Sequence, residues 1–199
     1  MSSFLQTCAI IGASLTGLAF GASSAQAAMT VQGPTSQPIG HYEFCKTYSE
    51  QCTRNASVGI ARLSEANWHM IVEINSAVNE AIFPRTDMEM HGVPELWSYP
   101  TTEGDCEDYA LLKQYMLEKE GFPRSALLIT VVRQPNGEGH AVLTVRTDGG
   151  DFILDNLDDR VLNWRDTPYR YLKRQSEAHA GQWLGISDDR DMMLVGSVR

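Results

Sequence analysis

Segment 127–157 carries three extended runs separated by two turn signals, and no other part of the chain constrains the fold as strongly. Leu127 to Val132 is an apolar run with its β-branched residues clustered, which reads as a strand. Pro135-Asn136-Gly137 is a turn, and His140 to Thr147 is the next strand. Asp148-Gly149-Gly150-Asp151 reads as a tight hairpin turn, leading into a third strand from Phe152 to Leu157. Tyr169 to Arg174 is read as a fourth. Two helices precede this meander. The first covers 62–82, where Leu63, Ala66, Met70, Ile74, Ala77, Val78 and Ala81 form a helical stripe and Pro84 ends it. The second runs from about Cys106 to Glu120, with Ala110, Leu111, Tyr115 and Met116 as its buried face, Gly121 as C-cap and Pro123 beyond. Asp105 is placed as its N-cap or first-turn acid. Residues 28–40 read as an extended lead-in and 84–104 as a long loop. Helices followed by an antiparallel meander define the α+β class.

The first charged side chain is Glu43. Before it lies a weakly polar stretch that ends in Ala25-Gln26-Ala27, small residues in the spacing that signal peptidase prefers. Residues 1–27 are therefore expected to be a cleaved secretory signal, leaving 28–199 as one domain in an oxidising compartment. No Lys or Arg precedes the apolar run, and the alternative is an uncleaved anchor. That run is short and rich in Gly, Ser and Thr for a spanning helix. Cys8 leaves with the signal. Cys45 and Cys52, seven apart, can pair and staple the N-terminal segment, and Cys106 is left without a partner. An odd thiol in a secreted protein is either reactive or buried and inert. The net charge of −9 argues against nucleic acid or an anionic membrane as a main partner.

Cys106, His140 and Asp155 occur in the order thiol, imidazole, carboxylate. They are a nucleophile, a base able to deprotonate it, and an acid able to orient the base. A helix start at Cys106 favours the thiolate through the helix dipole and its unpaired N–H groups. In a hairpin around 148–151, residues whose numbers sum to about 299 face each other, which brings His140 and Asp155 close together on adjacent strands. Each residue alone has a plainer reading: a packed cysteine, a hydrogen-bonded strand histidine, a turn-capping aspartate. Their combination with an unpaired secreted thiol favours catalysis.

Asp105, Glu107 and Asp108 surround Cys106 with negative charge, which disfavours a thiolate. A bound cation would remove the conflict, and an all-oxygen ligand set suits Ca²⁺ rather than Zn²⁺. The plainer reading is an acidic helix start that complements the dipole. Neither Cys-x-x-Cys nor His-x-x-x-His occurs to suggest zinc. The Cys106 backbone N–H is the expected first oxyanion donor. Trp97 and Tyr99 either line the cleft or pack in the core.

Gly104-Asp105-Cys106-Glu107-Asp108-Tyr109-Ala110, Ala126 to Val132, Gly139-His140-Ala141-Val142-Leu143 and Phe152-Ile153-Leu154-Asp155-Asn156 resemble the bacterial transglutaminase-like cysteine proteinases, notably the LapG-like periplasmic proteases of alphaproteobacterial type. Phe44-Cys45 with Cys52, Val78-Asn79, Thr86-Asp87 and Tyr171 to Gln175 add to the resemblance, which spans roughly 38–185. It implies a papain/transglutaminase-like fold, with Cys106 as nucleophile, His140 as base and Asp155 as orienting acid. It also implies calcium on Asp105, Glu107 and Asp108, a protein substrate of the surface-adhesin type cut between small residues, and an inner-membrane receptor controlling access. The tail from Asp188 to Arg199 matches nothing in that family pattern. Acyl transfer or amidase action on cell-wall peptides by the same triad is an alternative. A non-catalytic calcium-dependent binding module is another.

Overall fold

The computed structural model describes residues 28–189, so the leader expected over 1–27 lies outside the described residues. In chain order the elements are β1 (Thr30–Thr35), α1 (Ile39–Thr47), α2 (Glu65–Ala81), β2 (Phe83–Pro84), α3 (Asp87–His91), β3 (Glu103–Gly104), α4 (Cys106–Lys119), β4 (Leu127–Arg133), β5 (Gly139–Thr147), β6 (Gly150–Leu154), β7 (Leu162–Asn163), β8 (Arg170–Gln175) and β9 (Trp183–Ser187). Seven strands form one antiparallel sheet in the order β1-β9-β8-β4-β5-β6-β7. The short β2 and β3 pair in parallel.

Ser64 caps α2 by accepting the Asn67 N–H at 3.2 Å, a contact worth about 1 kcal/mol. α4 starts at Cys106 after Asp105, whose extended backbone makes it the N-cap. Past its end, Gly121 takes the left-handed φ of +88° that breaks the helix. Leu111 and Leu117 of α4 meet Ile71 and Ile74 of α2 over Ile129, Leu143, Val145 and Leu154 of the sheet. The opposite sheet face carries Val132, Val142, Ile153 and Tyr171, covered by Met29, Trp164, Tyr169 and Ile186. Both faces of β4 are therefore dry, which is why its sequence is a continuous apolar run rather than an alternation. The Met29 N–H, just before β1, donates to Asp151 Oδ2 on β6 at 2.8 Å, so the sheet curls until its first edge reaches the sixth strand in order.

The α+β class and the helix-then-meander layout are as the sequence indicates, with four corrections. The lead-in at 28–40 contains the edge strand β1 and the start of α1. The 84–104 loop contains α3 and β3. Tyr115, expected on the buried face of α4, is 39% exposed, while Glu107, Asp108, Lys113 and Gln114 are buried there. Polar partners reach those four side chains, which an apolar stripe cannot reveal. Fourth, β6 stops at Leu154, not Leu157. Its register with β5 pairs Thr147 with Gly150 and Leu143 with Leu154, sums of 297 rather than 299. The turn is tighter than expected because Gly150, at φ +121°, already belongs to the strand.

Cys45 and Cys52 form a disulfide and Cys106 is a free thiol. Among the described residues no helix is long and apolar enough to cross a membrane.

Candidate active site

Cys106 is the first residue of α4, held there by two close approaches. A Cβ on Gly104 would lie 2.9 Å from Asp108 Cβ, so only glycine lets the chain enter the helix on this path. Ala141, on β5, lines the same cleft as Cys106, which places the start of β5 beside the start of the helix. His140 is the neighbour of Ala141 and pairs with Val132 of β4.

His140 Nε2 and Asp155 Oδ1 are 2.8 Å apart, both side chains buried. Asp155 follows the last β6 residue, and by the observed register it projects on the same face as His140, one pair along. The same oxygen accepts the Leu157 N–H at 3.0 Å, and Asp155 Oδ2 accepts the hydroxyl of Tyr169. The Tyr169 ring packs on His140 at 5.5 Å between centroids. Burial works against the Asp155 carboxylate, but the hydrogen bond and charge of His140, aided by Tyr169 and Leu157, hold it below the usual carboxylate range. Because Nε2 is committed to Asp155, the lone pair of neutral His140 is on Nδ1.

Two clefts of about 300 Å³ and 290 Å³ meet at this point, and Cys106, Gly139 and His140 line both. Trp97, Glu95, Ala141 and Lys173 wall the first; Arg85, Gln134, Asn156 and Leu157 wall the second. Trp97 is buried and donates its Nε1–H to Glu95 Oε1 at 2.7 Å. It thus lines a cleft and packs in the core at once, whereas Tyr99 packs among Phe44, Tyr48 and Tyr115.

The thiol of Cys106 lies 3.1 Å from Glu107 Oε2, to which it donates. Burial, then the negative charge of Glu107, push this thiol well above its ordinary range. Carboxylate oxygens of Asp87, Asp105 and Glu107 gather within 4.8 Å of one another. Burial and then Asp105 push Glu107 up to about 9; burial and then Asp87 raise Asp105. Asp87 Oδ1 and Asp105 Oδ1 are buried with no hydrogen-bond partner. Asp108 stands outside this group: its Oδ1 accepts the Ser98 N–H at 2.8 Å, and burial pushes it up to about 7. Asp87 joins Asp105 and Glu107 because α3 packs its first turn against the start of α4, the Asp87 N–H donating to Asp105 Oδ2 at 3.3 Å. The signal for it was in the sequence: Thr86 and Glu89 form a capping box, which marks Asp87 as a first-turn residue. Tyr169 carries no such local signal.

A curled antiparallel sheet with a thiol at the start of a helix packed on it, beside a histidine–carboxylate pair, defines a cysteine peptidase of the transglutaminase-like class. The chain belongs to the bacterial transglutaminase-like cysteine proteinases, whose family model matches residues 31–191. Among solved structures it is similar to calcium-bound LapG of Legionella pneumophila, at 21% identity and a TM-score of 0.52 over 69% of this chain and 83% of that one. The EGTA-treated form of that protein gives 18% identity and a TM-score of 0.50 over 80% of this chain and 94% of that one. These likenesses establish the fold. Comparison with curated protein sequences returns no match.

Proposed function

We propose that the protein is a periplasmic cysteine endopeptidase in which Cys106 is the nucleophile, His140 the general base and acid, and Asp155 the group that orients His140. The observation that carries this is the 2.8 Å His140–Asp155 pair opening onto the two clefts that share Cys106. An extended polypeptide would lie through both clefts with its scissile carbonyl over Cys106. His140 Nδ1 takes the thiol proton as Sγ attacks that carbonyl, forming the C–S bond. The Cys106 N–H steadies the oxyanion. The imidazolium then returns the proton to the leaving amine as the C–N bond breaks. Water, deprotonated by His140, hydrolyses the thioester and restores the thiol. Asp155 stays ionised throughout and stabilises the imidazolium.

The carboxylate group beside Cys106 fits a hard divalent cation. Two of its oxygens are buried and unpartnered, and its like charges raise one another's proton affinity. Asp105, Glu107 and Asp87 would hold Ca²⁺, and Asp108 is the further carboxylate in reach of the same loop. Bound there, the ion would supply positive charge that lowers the cost of a thiolate at Cys106. The Cys45–Cys52 disulfide and the leader-like residues 1–27 favour the periplasm. A surface adhesin is the substrate proposed, with access controlled by an inner-membrane receptor, by similarity to the family. The test is incubation of surface-protein extracts with wild-type protein and with Cys106→Ala. A discrete product formed only by the wild type supports the reading, and identical patterns overturn it.

A further inference from the structure

We propose that Lys113 and Asn79 are positioning residues that hold the main chain of Asp155 in place relative to Cys106. The inference rests on the Cys106–His140–Asp155 reading. The β5–β6 ladder ends at the pair Leu143–Leu154, so the backbone of Asp155 has no strand partner to fix it. Two side chains from two helices supply what the ladder does not. Lys113 Nζ, on α4, donates to the Asp155 carbonyl at 2.9 Å, and Asn79 Nδ2, on α2, donates to the same oxygen at 2.9 Å. Asn79 Nδ2 also reaches Asp159 Oδ1 at 2.8 Å, which ties down the loop that follows.

The choice of lysine is informative. Lys113 is 1% exposed, and its amine meets a carbonyl rather than a carboxylate. Burying an ammonium this way is unfavourable, so packing alone would select an apolar side chain of the same length. Burial pulls Lys113 down to about 7. The position in the helix gives the cost a purpose. Lys113 is seven residues after Cys106, two turns along α4 on the same side, about 10 Å down the axis. A single rigid helix therefore carries the nucleophile at one end and a grip on the orienting acid further along. His140 is held to that acid at 2.8 Å, so the imidazole inherits its distance from the thiol through α4.

The experiment is the pH dependence of Cys106 alkylation by iodoacetamide, measured well below each variant's melting temperature. Wild type, Lys113→Met, Asn79→Ala and Asp155→Ala are compared, with the ¹H–¹⁵N signal of the His140 ring as the spectroscopic readout. A position shift of this kind costs ~10-fold or more in rate. Lys113→Met should therefore slow alkylation at pH 7 by at least ~10-fold and move its pH midpoint toward that of Asp155→Ala. Asn79→Ala should move it the same way by less. A Lys113→Met profile that overlays the wild type, with only a lower melting temperature, overturns the proposal while a displaced Asp155→Ala profile leaves the triad standing. If Asp155→Ala also overlays the wild type, it is the triad reading that fails. Should Lys113→Met not fold, Asn79→Ala decides, and an unshifted His140 signal in that variant overturns the proposal.

Discussion

Tyr169 donates its hydroxyl to Asp155 Oδ2, the carboxylate oxygen that His140 leaves unused. The two contacts act in the same direction on the carboxylate, both favouring its ionised form. His140 needs Asp155 ionised, and Tyr169 keeps it so by hydrogen-bonding the charged form. Tyr169→Phe removes that donor and leaves the ring on His140. The pKa of Asp155 should rise, so the acid limb of the pH–rate profile should move to higher pH. Turnover at neutral pH should fall about 10-fold, in line with a lost hydrogen bond to a charged group. A profile superimposable on wild type would show that Tyr169 only packs.

Cys106→Ser and His140→Ala should each lower peptidase activity by at least ~10³-fold, because nucleophile and base act as one unit. Asp155→Ala should retain more activity than His140→Ala, since the imidazole is still present without its orienting partner. The measurement is initial rate on one cleaved substrate. Full turnover by Cys106→Ser would overturn the catalytic assignment.

Calcium should stabilise the protein more at pH 8 than at pH 5. The folded protein holds protons on Glu107 up to about 9 and on Asp108 up to about 7, against ordinary values of 4.5 and 3.8. The stability these acids contribute in the protonated form is complete below their ordinary values and is lost as pH rises through the folded ones. A cation must displace those protons, and the cost of doing so falls steadily as pH rises toward the folded values. Melting temperatures in EGTA and in excess Ca²⁺ should therefore diverge as pH rises, and activity should follow. Equal melting temperatures at pH 8 would remove the metal from the account.

In purified protein lacking residues 1–27, one thiol should react with an alkylating agent before reduction and three after it, by intact mass. Cys45→Ser should cost about 2.5 kcal/mol by the chain-entropy account for so short a loop, and leave alkylation of Cys106 unchanged. Three reactive thiols without reduction would contradict the pairing.

A further check concerns His41, which is buried among Phe44, Trp97 and Trp183 and accepts the Trp183 Nε1–H at 3.1 Å. Burial, then the Arg124 charge, pull it from 6.5 down to about 3. Its contribution to stability is present above 6.5 and is lost as pH falls toward 3. The loss of melting temperature between pH 6.5 and pH 4 should be shallower in His41→Gln than in wild type. Parallel curves would assign the acid limb elsewhere.

The sequence alone determined what is local. Asp105 before an amphipathic run sets a helix start at Cys106, and two turn signals set the β4–β5–β6 meander. The thiol, imidazole and carboxylate are legible because their order and their elements are written in adjacent residues. Only the tertiary structure decided the β5–β6 register, where Gly150 joins the strand and shifts every pair. It also brought Asp87 to Asp105 across 18 positions, Lys113 to Asp155 across 42 and Asn79 to Asp155 across 76. Edge pairing of β1 with β9 joins the two ends of the described chain in the same way. The physical reason is that periodicity encodes which face of an element is dry, a property of neighbours in sequence. The partner of a buried polar group is whichever distant segment the closed core places within hydrogen-bond reach, and no local pattern carries that address.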